Sequence, residues 1–79
     1  MSAKQVQDVF VESLGVAAGT DWSGLAYRGV EEWDSVAHMV LVGELEDAFD
    51  IMIETQDVID MSSYPEVLRI LTKYGVDVS

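Results

Sequence analysis

Three apolar runs at helical spacing, each opened by a helix-capping residue, commit this chain to helices. Ser2-Ala3-Lys4-Gln5 fits a capping box, with Ser2 as N-cap and Gln5 reaching back. Val6, Val9, Phe10 and Leu14 then recur on one face, and Gly15 supplies a stop. The spacing predicts a first helix from about residue 3 to 14. Asp34 opens a second helix that runs to about Phe49. Ser63-Tyr64-Pro65-Glu66 is another capping box, with Pro65 tolerated in the first turn. Behind it Val67, Leu68, Leu71 and Tyr74 form the inner face of a last helix that Gly75 ends. Ile51 and Ile53 alternate with polar neighbours in an extended segment, and Gln56 to Met61 is long enough for one or two helical turns. No strand pattern, internal repeat or low-complexity tract interrupts this plan. The expectation is an all-α fold: three long helices and one short one, in a small antiparallel four-helix bundle.

Residues 15–33 do not fit the helical pattern. They make a long connection, and long connections in small domains tend to be functional or anchored. Trp22, Leu25, Tyr27 and Val30 are the side chains expected to pin it to the bundle. The 79 residues form a single domain, 1–79, with a modest core. At 49% hydrophobic residues the chain can still bury enough to fold.

Charge and composition remove several function classes. Fifteen acidic residues against four basic ones give a formal net charge of −11. Nucleic acids and anionic membranes are repelled by such a surface, whereas basic protein partners are attracted and steered to it. There is no cysteine and a single histidine, which argues against disulfides, thiolate chemistry and a zinc site. The acidic run Glu44, Glu46, Asp47, Asp50 lacks the spacing and turn glycine of a calcium loop, so a solvated acidic face is expected. The first residues carry no apolar signal region, and the apolar stretch Val36 to Gly43 is too short to span a bilayer. A cytoplasmic monomer is the expectation.

The second helix is unusual because it has two apolar faces. At about 100° per residue, Leu41, Leu45, Ala48 and Phe49 fall together, with Val42 at the edge; this is the expected core face. Val36, Met39, Val40 and Gly43 fall opposite, where solvent is expected, and Glu46 and Asp47 also fall away from the core. Exposed apolar side chains in a cluster point to a docking surface, and methionine suits one because it adapts to varied contacts. His38 falls near the centre of the core face, one turn beyond Ser35. It is expected at the mouth of any cavity beside that serine. Ser35 and His38 lack a placed Asp to complete a catalytic triad.

Asp34-Ser35 is the most suggestive dipeptide. A serine at a helix start lies beside unpaired backbone N–H groups and the positive end of the helix dipole, where an esterified phosphate is well accommodated. By itself the pair is also an ordinary cap. Its surroundings are more specific: Glu32-Trp33-Asp34-Ser35-Val36, then Leu41-Val42, then Leu45-Glu46-Asp47-Ala48-Phe49-Asp50-Ile51, then Ile53. Over nearly the whole chain this pattern resembles the acyl carrier protein family. The resemblance implies that Ser35 is the attachment site of a 4′-phosphopantetheine arm and Asp34 the acidic residue before it. It implies that Glu46 and Asp47 face basic partner enzymes, and that a phosphopantetheinyl transferase supplies the arm from coenzyme A. The arm's thiol would carry acyl or aminoacyl groups as thioesters between loading and processing enzymes, the domain itself catalysing nothing. Val36 stands where the family has Leu, and Ala37 and Val40 where fatty-acid carriers place acidic residues. The Gly-Gly-His-Ser of peptidyl carriers is absent, and Trp33 is more similar to stand-alone carriers of specialised pathways. The alternative is an unmodified acidic helical domain that docks a basic partner.

Overall fold

The structure, a computed structural model, describes residues 2–78, the side chain of Ser2 excepted. It is all-helical: α1 Ser2–Leu14, α2 Ser35–Phe49, α3 Thr55–Asp60 and α4 Tyr64–Lys73, with a single 3-10 turn at Trp22–Gly24. Among the described residues the sole β feature is an isolated antiparallel bridge between Ala26 and Ser63. No described helix is long and apolar enough to cross a membrane.

The helix ends follow local chemistry. Asp34 caps α2, its carboxylate accepting the Ala37 N–H at 2.9 Å. Ser63 caps α4 through the Glu66 N–H at 3.2 Å, but Glu66 does not reach back to complete the box; its carboxylate takes Arg69 at 2.6 Å instead. The structure includes Ser2 within α1, and the expected capping role of its side chain lies outside the described residues. Gly75 ends α4 at φ 85°, a conformation glycine adopts without strain. Its N–H bonds Thr72 O, and Val76 N–H bonds Leu71 O, so two of the last carbonyls of the helix are engaged.

The core draws on α1, α2, α4 and the segments that connect the helices. Val6, Val9, Phe10 and Leu14 come from α1, Leu41, Val42 and Leu45 from α2, and Tyr64, Val67, Ile70 and Leu71 from α4. Val16, Leu25 and Trp33 come from the connection before α2, and Ile53 and Met61 flank α3. Phe10 is the aromatic centre, meeting Trp22, Trp33 and Tyr64 edge-on at 5.3–5.8 Å. Three details differ from the helical-wheel expectation. Ala48 is exposed, because at the last turn of α2 the larger Phe49 makes the contact with the core. Ile70 is buried, though not among the residues expected inside, while Leu68 and Tyr74 are half-buried. Glu46 is half-buried rather than turned away, its carboxylate accepting the Ile53 N–H at 2.8 Å.

Candidate functional site

Trp33 sets the position of everything that follows it in α2. Its side chain is fully buried, and the turn before it is closed by Trp33 N–H to Val30 O and Arg28 N–H to Trp33 O. The next two residues are therefore held at the surface, Asp34 extended as the cap and Ser35 as the first helical residue. Ser35 is exposed.

Two residues from the connection reach the Ser35 hydroxyl. Tyr27 Oη lies 3.0 Å from Ser35 Oγ, and Arg28 Nη2–H donates to the same oxygen at 3.3 Å. Arg28 Nε–H also donates to Tyr27 Oη at 3.4 Å, and its guanidinium sits 5.6 Å from the Tyr27 ring centre. The backbone is shaped for this arrangement. Leu25 and Tyr27 are tied to the α3–α4 junction by Tyr64 N–H to Leu25 O and Tyr27 N–H to Ser62 O, both 2.9 Å. Arg28 has φ 62°, a left-handed conformation uncommon for a residue with a side chain. The hydrogen bond with Ser35, and then that from Arg28, holds the Tyr27 hydroxyl below the ordinary tyrosine pKa. Neither Tyr27 as a partner of the serine nor Arg28 at all is evident from the sequence. The one available signal is that arginine is scarce in so acidic a chain.

A cleft of about 360 Å³ opens beside Ser35, lined by Tyr27, Ser35, His38, Met39, Val58, Ile59 and Met61. Apart from Ser35 and the polar tips of Tyr27 and His38, these are apolar side chains. His38 forms part of its wall, half-buried, as its place on the helical wheel suggests. Trp33 Nε1–H donates to His38 Nδ1 at 2.9 Å. Because an indole can only donate, Nδ1 is the accepting nitrogen, and in the neutral ring Nε2 carries the proton. Nε2–H then donates to Val58 O at 2.8 Å. Both ring nitrogens are thus engaged away from Ser35, and His38 joins α3 to the start of α2.

The remaining residues singled out in the sequence are distributed over α2. Val36, Met39 and Val40 are 75%, 60% and 47% exposed, so the second apolar face does point to solvent. Met39 belongs to both that face and the cleft. Asp47 is exposed, whereas one oxygen of Glu46 holds the Ile53 N–H. Among the described residues, no group of three or more acidic or histidine side chains is gathered to hold a metal ion. Comparison with protein-family models, with curated proteins and with solved structures finds no match.

Proposed function

We propose that this domain is an acyl carrier, a small antiparallel helical bundle bearing a 4′-phosphopantetheine arm on Ser35. The observation that carries this reading is the position of Ser35: an exposed hydroxyl on the first residue of a capped helix, at the edge of a largely apolar cleft. An acceptor serine has to enter another enzyme's active site, which requires exposure. A carried chain benefits from a nearby apolar surface, which the cleft provides.

In the loading step Ser35 Oγ forms a bond to the β-phosphorus of coenzyme A. The pyrophosphate P–O bond breaks, 3′,5′-adenosine diphosphate leaves, and the serine proton passes to a base of the phosphopantetheinyl transferase. The arm's thiol then takes acyl or aminoacyl groups as thioesters. Val36, Met39 and Val40 beside the attachment point, with the acidic Asp47 and the free edge of Glu46, make the surface for loading and processing enzymes with basic docking faces. The domain acts as a cytoplasmic monomer of a specialised pathway and meets no nucleic acid or membrane.

Incubation with coenzyme A and a broad-specificity phosphopantetheinyl transferase tests the reading. The intact mass should rise by one phosphopantetheinyl group in the wild type and not in Ser35→Ala. A wild type left unmodified by every transferase tried would contradict it and favour an unmodified domain that docks partners through the same exposed face.

A further inference from the structure

Four cationic side chains serve this chain of net charge −11. Three are in ion pairs: Lys4 with Asp8, Arg69 with Glu66 and Lys73 with Asp57. The fourth, Arg28, directs its guanidinium to two hydroxyls, those of Tyr27 and Ser35. Neutral hydroxyls are weak partners for a guanidinium, whose planar fork matches the oxygens of a phosphate. Asp34, the acid whose charge Arg28 feels, has Oδ1 engaged with the Ala37 N–H. The left-handed backbone at Arg28 is a conformation that persists where surrounding structure holds it, often at a functional position.

We propose that Arg28 and Tyr27 form a clamp for a phosphate esterified to Ser35, with Arg28 donating to the non-bridging oxygens and Tyr27 Oη supplying a second donor. The assignment of that phosphate to a phosphopantetheine arm rests on the function proposed above. Esterification places the negative oxygens on a phosphorus bonded to Oγ, two bonds beyond it, within reach of a guanidinium already 3.3 Å from Oγ. Tyr27 belongs both to the clamp and to the cleft wall. The base of the arm is therefore held at the cleft mouth rather than left to swing, and Arg28 and Tyr27 are positioning residues for it.

The clamp can be tested without a transferase, by placing phosphoserine at position 35 through amber suppression and titrating its phosphorus resonance. The second ionisation of phosphoserine ordinarily falls at about pH 6. A guanidinium in contact should hold it lower by about one pH unit. Arg28→Gln should raise it back. Arg28→Lys, which keeps the charge and loses the fork, should fall between. Arg69→Gln makes the same change of net charge on α4 and should match the wild type. Equal titrations for wild type and Arg28→Gln would overturn the clamp, as would an Arg69→Gln effect as large as that of Arg28→Gln. Intact mass after treatment of the unmodified proteins with coenzyme A and transferase separates the two claims. Modification without a titration difference removes the clamp alone. A titration difference in a protein that no transferase modifies keeps the phosphate clamp and removes the carrier reading.

Discussion

Trp33 is fully buried, so its indole N–H must find an acceptor inside the protein, and His38 Nδ1 is that acceptor. Removing the ring strands a buried donor and also cuts the link to Val58 on α3. His38→Ala is accordingly expected to destabilise the domain by about 1–3 kcal/mol, the range for leaving a buried polar group unsatisfied. Urea unfolding measures it, and a midpoint unchanged from wild type would show that the Trp33–His38–Val58 chain contributes nothing. Asp57 is a second residue with a defined role. It is 5% exposed and accepts from Lys73 Nζ at 2.7 Å and from the Tyr74 hydroxyl. The Lys73 hydrogen bond, followed by that of Tyr74, holds its carboxyl below the ordinary aspartate pKa. A depressed carboxyl stabilises the fold at pH above its unfolded value, about 3.9, and that contribution is lost as pH falls through the lower folded value. Thermal melts of wild type and Asp57→Asn should differ most near neutral pH and converge on acidification. A gap that stays constant down to about pH 2 would contradict this assignment.

At the scale of the element, α2 is the informative helix because its two sides do different things. Leu45 is fully buried, and Leu45→Ala should cost about 2–5 kcal/mol in urea unfolding. Val40 is on the opposite side, and Val40→Glu should leave the melting temperature within a degree or two while slowing modification by the transferase several-fold. If Val40→Glu unfolds the domain, the patch is core; if the variant is stable and modified at the wild-type rate, docking lies elsewhere, on the side of Asp47. Much of this helix was legible in the sequence. The Asp34 cap, the end at Phe49 and the exposure of Val36, Met39 and Val40 all follow from local rules of capping and period. Ala48 and Ile70 did not follow, because which residue of a face is covered depends on what packs against it, and that is non-local. The sequence points to a solvated Glu46 because nothing local announces that the chain turns after Asp50 and brings the Ile53 N–H back to it. Tyr27 and Arg28 were hidden for a related reason. Their approach to Ser35 depends on the bridge that ties the connection to the α3–α4 junction, a pairing without sequence periodicity.

At the scale of the whole molecule, charge dominates. Fifteen carboxylates on a domain with a Cα radius of gyration of 11.1 Å repel one another in the compact state. Added sodium chloride shortens the screening length to about 10 Å at 0.1 M, below the molecule's longest extent of 29 Å. The melting temperature at neutral pH should therefore rise between low and moderate salt, and a flat or falling curve would contradict the repulsion argument. On the function proposed above the same charge would steer basic enzymes toward the domain, so encounter with a transferase should slow as salt rises even while stability improves. Opposite salt trends for stability and for the transferase reaction are the signature of this surface.

The proposed function rests on one particular hydroxyl, that of Ser35, accepting the arm. Fragmentation of the intact modified protein in the mass spectrometer tests it most directly, because the chain offers other serines for comparison, among them Ser13, Ser23, Ser62 and Ser63. The added phosphopantetheine mass should localise to Ser35 alone. Localisation to any other residue, or no adduct on a folded protein given an active transferase and coenzyme A, would contradict it.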